Sequence, residues 1–148
     1  MTDRSPVHGG LIARHQGGRW HGVLILGPSG SGKSHLALTA LAAGWRLVAD
    51  DRVILWSDAG KVFGRAHPTL AGQIEVRGLG IMTSALPALG FCQIDLVAQI
   101  VPREAIERYP DPAHRVLCGR SLPLVSIDPF SALCVTMIQM ALHQLPVR

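Results

Sequence analysis

The sequence predicts a single α/β domain over residues 1–148, and three observations support this fold class. Short apolar runs of strand length alternate with a segment of helical period, which is typical of domains that pack helices on a sheet. A glycine-rich segment joins one of these runs to the helical segment. The chain has 148 residues, of which 48% are hydrophobic and 16% charged, so it can bury a core and is not expected to be disordered.

Most of the expected elements lie in the first two thirds of the chain. The polar turn at residues 15–18 would join the first two strands as a hairpin. A helix is expected over residues 33–43, because its apolar residues share one face and Gly44 stands where helices commonly end. The apolar segments expected to form strands are residues 7–14, 22–26, 46–49, 52–56, 72–76 and 94–101.

The C-terminal segment changes to a helical period. Asp128 is expected to cap a helix that begins at Pro129, since aspartate followed by proline is favoured at a helix start. Apolar residues then recur at spacings of three and four, which predicts a wide apolar face packed on the core, with a subunit contact as the alternative. This face comprises Phe130, Leu133, Cys134, Met137, Met140, Ala141 and Leu145.

Composition and charge exclude several classes of protein. The longest apolar runs are far shorter than the roughly 18 residues of a membrane-spanning helix, and no signal segment opens the chain. The net charge of +4 suits an anionic substrate, but scattered arginines and seven aromatic residues do not indicate nucleic-acid binding. Three cysteines without zinc-site spacing favour a reducing compartment. We therefore expect a cytoplasmic protein with no membrane and no nucleic-acid partner.

The strongest motif is a phosphate-binding loop. Residues 27–34 fit the pattern G-x-x-x-x-G-K-[ST] throughout, and they lie between an expected strand and an expected helix. Backbone N–H groups of such a loop, together with the start of the helix, hold phosphate oxygens. Lys33 would reach the β- and γ-phosphates, and Ser34 would offer its hydroxyl to Mg²⁺. The expected nucleotide-binding residues are Gly27, Pro28, Ser29, Gly30, Ser31, Gly32, Lys33 and Ser34.

Two adjacent aspartates follow the strand expected at residues 46–49. A parallel crossover through the helix would return Asp50 and Asp51 to the phosphate end of the sheet. A carboxylate there can hold Mg²⁺ or accept the proton of an attacking hydroxyl, although a polar turn is an alternative interpretation. A further segment, residues 74–81, contains Glu75 and two glycines, and it is equally consistent with a structural strand.

Four segments, in this order, resemble the HPr kinase/phosphorylase family, whose members act on a serine of the phosphocarrier protein HPr. They are residues 7–9, the phosphate loop, residues 46–53 and residues 74–81. The resemblance implies a P-loop kinase domain related to the catalytic domain of phosphoenolpyruvate carboxykinase, usually assembled into a homo-hexamer. It also implies Mg²⁺-dependent phosphate transfer from ATP or pyrophosphate to HPr, and reversal by phosphorolysis.

The resemblance implies catalytic roles for individual residues. His8 and Lys33 match active-site positions of the family. Asp51 matches the residue that acts as the base in phosphorylation and as the acid in the reverse reaction. His21, which lies just before the strand that enters the loop, is the alternative to His8.

Three oxygen-bearing residues are the candidate metal ligands. Ser34 and Glu75 match the magnesium-binding positions of the family. Asp50 is added as a further metal-binding carboxylate, because it also follows a strand beside the phosphate loop.

The chain departs from the family pattern at several positions. The long members carry an additional N-terminal domain, which this chain is expected to lack, and His35 stands where the family usually has glutamate. The family's later catalytic aspartate–arginine pair has no clean counterpart, so Arg108 is the candidate arginine, with Arg115 behind it. Residues 122–129 lack the basic residue of a loop associated with dephosphorylation, which favours a kinase-biased member.

The function expected from the sequence is an ATP- and Mg²⁺-dependent protein serine kinase for HPr or a close relative, with phosphorolysis left open. HPr would dock on the exposed edge around residues 74–81. One alternative is a nucleotide-dependent regulatory binding module with little or no phosphoryl transfer, and a small-molecule kinase is a third candidate.

Overall fold

The computed structural model describes residues 2–145, which form eleven β-strands, two α-helices and two short 3-10 helices. The strands are β1 (Thr2–His8), β2 (Gly10–Gln16), β3 (Arg19–Leu26), β4 (Arg46–Ala49), β5 (Arg52–Asp58), β6 (Lys61–Ala66), β7 (Gln73–Val76), β8 (Gly80–Thr83), β9 (Cys92–Ile100), β10 (Ala113–Leu117) and β11 (Arg120–Ile127). The helices are α1 (Lys33–Ala42), α2 (Cys134–His143) and the 3-10 helices Pro68–Leu70 and Arg103–Ala105.

The strand β9 lies at the centre of the main sheet. Along one edge it pairs in parallel with β3, from Gly22 opposite Ile94 to Leu26 opposite Gln99. Along the other edge its first residues pair antiparallel with β6, and its second half pairs in parallel with β11. In the described chain the order is β1-β5-β6-β9-β3-β2-β4, with β11 and then β10 branching from β9. The strands β7 and β8 form a separate hairpin.

The helix α1 connects two strands that run in the same direction. β2 lies antiparallel between β3 and β4, and its Leu11 is opposite both Leu24 of β3 and Ala49 of β4. Asp50 and Asp51 therefore follow β4 at the same end of the sheet at which the phosphate loop follows β3. The expected return of the two aspartates to this end is confirmed.

The main sheet is buried on both faces. Ile12 packs in a cluster on the side of α1 and α2, whereas Leu11 and Ala13 belong to a cluster on the opposite side, where β5 and β6 pack. Alternate residues of a strand point to opposite faces, so a doubly covered strand is a continuous apolar run. This arrangement explains why all of residues 22–26 are buried.

The expected helix after the phosphate loop is confirmed, and its end has a defined geometry. Gly44 has a φ of 93°, which glycine adopts without steric cost. Its N–H donates to the carbonyl of Leu41 at 3.1 Å, and the N–H of Trp45 donates to the carbonyl of Ala40 at 3.0 Å. This pair of bonds is a Schellman motif, which satisfies carbonyls at the C-terminal end of α1.

The strand expected at residues 7–14 is instead two strands. β1 ends at His8 and pairs with β5, whereas β2 begins at Gly10 and pairs with β3 and β4. The chain passes between the two parts of the sheet at Gly9, where a Cβ would lie 2.6 Å from the carbonyl oxygen of Ile25. The pair Gly9-Gly10 is a sequence signal for such a break, and the expected single strand overlooked it.

The expected helix start at Pro129 is wrong. The carboxylate of Asp128 accepts the N–H of Phe130 at 3.0 Å, and its carbonyl accepts the N–H of Ser131 at 3.2 Å. These bonds close a turn, and α2 begins only at Cys134.

The expected apolar face of α2 is only partly correct. The buried residues of α2 are Cys134, Val135 and Ile138. Ala141, and Leu145 just after the helix, are partly buried against the same cluster. Four members of the expected core face are exposed, namely Phe130, Leu133, Met137 and Met140. Phe130 and Leu133 precede α2, and Met137 and Met140 lie outside the buried stripe of the helix.

Four strands have no counterpart in the sequence-based expectations, namely β6, β8, β10 and β11. The hairpin turns that precede β6 and β11 place non-glycine residues at positive φ, with Ala59 at 50° and Cys118 at 49°. The segment Ser57-Asp58-Ala59-Gly60 predicts a turn, which is confirmed, although the strand β6 after it was not expected. The turn at Cys118 lacks the usual Asn-Gly or Asp-Gly pair and was not predicted. The fold is the expected α/β class, but the sheet dominates it.

No helix within residues 2–145 combines the length and apolarity needed to cross a membrane.

All three cysteines are free thiols. Burial raises the pKa of the Cys92 thiol, and the negative charge of Asp95 raises it further; burial also raises the pKa of Cys134. A raised pKa suppresses the thiolate, so neither residue is an activated nucleophile.

The substitution Gly9→Ala tests the passage between the two parts of the sheet. The new Cβ would press on the backbone oxygen of Ile25, which cannot move without shifting β3. We expect a loss of about 1–3 kcal/mol in the free energy of unfolding, measured by urea denaturation. Gly90→Ala is the matched control, because its Cβ would meet nothing within 4 Å, and equal losses in both variants would contradict this account.

Candidate active site

The phosphate loop has the backbone geometry of an anion cradle. Gly30 and Gly32 have φ values of 77° and 108°, and the N–H of Ser31 donates to the carbonyl of Pro28 at 3.1 Å. The first helical bond of α1 runs from the N–H of Leu36 to the carbonyl of Gly32 at 2.9 Å. The preceding N–H groups have no acceptor within the helix, so they can donate to phosphate oxygens.

Lys33 is held over the loop by backbone oxygens. Its Nζ donates to the carbonyl of Gly27 at 2.8 Å and to the carbonyl of Pro28 at 2.9 Å. Phosphate oxygens are stronger acceptors for an ammonium group than neutral carbonyls are. The lysine is therefore positioned to exchange these partners for a bound polyphosphate.

A buried hydroxyl inside the loop is another sign of fit to phosphate. Ser31 Oγ makes no hydrogen bond within the part of the chain that the structure describes, although it is fully buried. A Cβ at Gly27 would lie 2.6 Å from this oxygen and 3.0 Å from Cβ of Ile100, so only glycine fits there. An unsatisfied buried hydroxyl is costly, and a bound anion or its water would remove that cost.

Asp50 joins three parts of the site. It is only 5% exposed. Its Oδ1 accepts the hydroxyl of Ser34 at 2.9 Å, and its Oδ2 accepts the backbone N–H of Glu75 at 3.0 Å. The carboxylate thus links the start of α1 to the hairpin formed by β7 and β8. Both bonds are charge-assisted, which makes them stronger than neutral hydrogen bonds.

Asp51 occupies a strained turn. Its φ is 70°, and the N–H of Arg52 donates to the carbonyl of Asp50 at 2.8 Å across it. This three-residue γ-turn with positive φ at its centre is rare, and left-handed backbone in a non-glycine residue costs energy. The side chain of Asp51 is 62% exposed, in contrast to that of its neighbour Asp50.

The end of β1 brings His8 to the same place. His8 Nδ1 lies 3.6 Å from Asp51 Oδ1, and the N–H of Gly9 donates to the carbonyl of Asp51 at 3.1 Å. The histidine side chain is 75% exposed, so the pair faces solvent. An exposed carboxylate beside an imidazole can accept and release a proton.

The candidate metal ligands are near one another but do not form a closed cage. Ser34 and Asp50 are hydrogen-bonded, and the backbone of Glu75 is bonded to Asp50. Among the described residues, no group of three or more His, Cys, Asp or Glu side chains could hold a metal ion. The set fits Mg²⁺ bound in the usual way for a nucleotide site, with a few protein oxygens and the rest from phosphate and water.

Three basic candidates lie away from this cluster. His21 belongs to a different cluster, in which its Nδ1 lies 3.5 Å from the buried carboxylate of Asp95, itself paired with Arg19 at 2.7 Å. That cluster is at the start of β3, whereas the phosphate loop follows the end of this strand. Arg108 lies against its neighbour Tyr109, with 5.6 Å from the guanidinium to the ring centre, and Arg115 is exposed on β10.

One contact beside the loop was not predicted from the sequence. A Cβ at Gly32 would lie 2.9 Å from Cγ of Pro129 and 3.0 Å from Cζ of Phe130. The ring of Phe130 also lies 4.9 Å from that of His35, centre to centre. Because β11 branches from β9, its C-terminal turn reaches the loop, and the local periodicity of the sequence does not contain this information.

These features define a P-loop α/β domain with an exposed carboxylate next to the phosphate site. The family model described as HPr Serine kinase C-terminal domain matches residues 1–100. The chain therefore belongs to the HPr serine kinase C-terminal domain family.

Known proteins similar to this chain agree with this assignment. The HPr kinase/phosphorylase of Enterococcus faecalis is 38% identical over 115 residues, which cover 74% of this chain and 36% of that protein. The HPr kinase/phosphorylase of Mycoplasma mycoides is 48% identical over 60 residues, or 40% of this chain and 19% of that protein. The chain thus spans about a third or less of the length of these relatives.

A solved structure supports the fold. The HPr(Ser) kinase/phosphatase from Coxiella burnetii superposes with a TM-score of 0.78 over 93% of both chains, at 21% sequence identity. The likeness extends over the C-terminal third of the chain, beyond the 100 residues matched by the family model.

The substitution Asp50→Ala tests whether this buried carboxylate holds the site together. It removes both acceptors and leaves the N–H of Glu75 without its partner. We expect a loss of roughly 2–4 kcal/mol in the free energy of unfolding, measured by urea denaturation.

Asp51→Gly is the matched control for Asp50→Ala. It removes the adjacent, exposed carboxylate and relieves the positive φ, so we expect stability equal to or slightly above that of the wild type. The same large loss in both variants would contradict this account, because any change in this turn would then destabilise the protein whether or not the two bonds of Asp50 were kept.

Proposed function

We propose that this chain is a protein serine kinase that uses ATP and Mg²⁺ to phosphorylate HPr or a close relative in the cytoplasm. The observation that carries the proposal is Asp51, an exposed aspartate held in a strained turn beside the phosphate loop. Residues with strained backbone concentrate at functional sites, where the surrounding structure holds them in place.

The phosphate loop would bind the triphosphate of ATP. Gly30, Gly32 and the first turn of α1 supply backbone N–H donors, and Lys33 supplies a positive charge next to the terminal phosphates. The net charge of +4 adds a favourable field for a polyanion. Pyrophosphate contains the same phosphate groups, so it is a possible second donor at this loop.

Asp51 would act as the general base. Its carboxylate accepts the proton of the substrate serine hydroxyl as the serine oxygen bonds to the γ-phosphorus. The bond between the γ-phosphorus and the β,γ-bridging oxygen breaks, and ADP leaves with that oxygen. His8, 3.6 Å from Asp51, would orient the carboxylate and pass its proton to solvent.

Ser34 and Asp50 would hold Mg²⁺, with Glu75 next to them on β7. Their hydrogen bond fixes the hydroxyl of Ser34 at the start of α1, where the β- and γ-phosphates would lie. When bound, the metal neutralises charge on the phosphate oxygens. Asp50 is buried and Asp51 exposed, which separates a metal-holding role from a proton-accepting role.

The hairpin of β7 and β8 is the proposed docking surface for HPr. It presents Leu79 and Ile81, which are 68% and 60% exposed, and its strand β7 is tied to Asp50 through the N–H of Glu75. Exposed apolar side chains on a hairpin that is tied to the site suit a protein substrate better than a small molecule. A homo-hexamer and phosphorolysis remain parts of the proposal that rest on the family resemblance.

The decisive experiment incubates the protein with labelled ATP, Mg²⁺ and purified HPr. We expect label on a serine of HPr, and a fall in its rate of about 10²–10⁴-fold in Asp51→Asn, because the general base is lost. The affinity for ATP, measured by calorimetry, should not change, since Asp51 does not line the phosphate loop.

Asp58→Asn is the control for this experiment, because Asp58 is an exposed aspartate at the far end of β5. It should transfer phosphate at the wild-type rate. Binding of ATP and HPr without any transfer would contradict the kinase and support the regulatory binding module instead. Wild-type transfer in Asp51→Asn would remove the role assigned to Asp51.

A further inference from the structure

An exposed aromatic ring lies against the phosphate loop. Phe130 is 65% exposed, yet the edge of its ring is so close to Gly32 that a Cβ there would lie 3.0 Å from Cζ. The kinase chemistry proposed above makes no use of this residue. It also lies outside α2, which begins at Cys134.

The ring is held in place by its own turn and by a second ring. Asp128 accepts the N–H of Phe130 at 3.0 Å through its carboxylate and the N–H of Ser131 at 3.2 Å through its carbonyl. On the loop side the ring packs at 4.9 Å, centre to centre, on His35, the residue that follows Lys33 and Ser34 in α1. An aromatic surface fixed before binding loses little entropy when a ligand stacks on it.

The order of the strands gives the bound phosphate chain a direction. Asp50 and Asp51 follow β4, on one side of the phosphate loop. Phe130 follows β11, which branches from β9 on the other side. If the γ-phosphate lies towards the two aspartates, the α-phosphate and the nucleoside extend towards Phe130.

We propose that Phe130, supported by His35, is the stacking surface for the nucleobase. The inference rests on the proposed nucleotide-dependent function and adds to it the contact for the base. Every nucleobase has a π-face, and an aromatic side chain binds that face by stacking. A phosphate donor without a base would not touch this residue.

The test compares two ligands in calorimetry with Mg²⁺, namely ATP and inorganic triphosphate. In Phe130→Ala we expect the affinity for ATP to fall by about 5- to 150-fold, the range found for losing one base–aromatic stack. The affinity for inorganic triphosphate should not change. Phe130→Trp keeps an aromatic face and should retain the binding of ATP.

Leu133→Ala is the matched control, since Leu133 is similarly exposed, at 61%, and should bind both ligands as the wild type does. Unchanged affinity for ATP in Phe130→Ala would overturn the stacking role and leave the proposed kinase standing. Equal losses for both ligands would also overturn it, by showing a disturbed loop. A wild-type protein that binds neither ligand would contradict the proposed function itself.

Discussion

The buried carboxylate of Asp50 is the interaction on which the arrangement of the site depends. It bonds the hydroxyl of Ser34, at the start of α1, and the backbone of Glu75, in the β7–β8 hairpin. A charge that is only 5% exposed is stable there because both of its oxygens accept hydrogen bonds. The two bonds tie together segments that are 16 and 25 residues away from it in the chain. The hairpin is also anchored by Ile74, which is buried in the core cluster beside α1, so the two bonds of Asp50 add a polar link to an apolar contact.

The γ-turn centred on Asp51 gives the two neighbouring aspartates different environments. Asp50 points inward, and the γ-turn that follows it directs Asp51 to solvent at a φ of 70°. The N–H of Gly9 donates a hydrogen bond to the carbonyl of Asp51, which helps to hold the strained backbone of Asp51 in place. The same bond brings the end of β1 to the site. A regular strand would have alternated the two side chains across a sheet. The turn instead places the carboxylate of Asp50 against the hydroxyl of Ser34 and the carboxylate of Asp51 in solvent beside His8.

Local signals predicted the parts of the site that are close in sequence. The loop from Gly27 to Ser34 has a strict spacing, α1 has a clear apolar face, and the strand length places both aspartates at the correct end. The changes of partner strand were not predicted, because the turn signals at Gly9-Gly10 and Ala59-Gly60 show where a strand ends but not which strand it pairs with. The contact of Phe130 with the loop depends on β11 pairing with β9, which is a property of the whole sheet.

The strain at Asp51 also bears on the choice between a kinase and a regulatory binding module. A module that only senses nucleotide needs the loop, Lys33 and Ser34, and it gains nothing from an exposed carboxylate with positive φ. Glycine would satisfy the same γ-turn without strain, and asparagine would tolerate it without a base. An aspartate there makes sense if its carboxylate takes part in chemistry, since the backbone cost is then offset by catalysis. His8 lies 3.6 Å from that carboxylate, where an imidazole can exchange protons with it, and nucleotide sensing requires no such exchange.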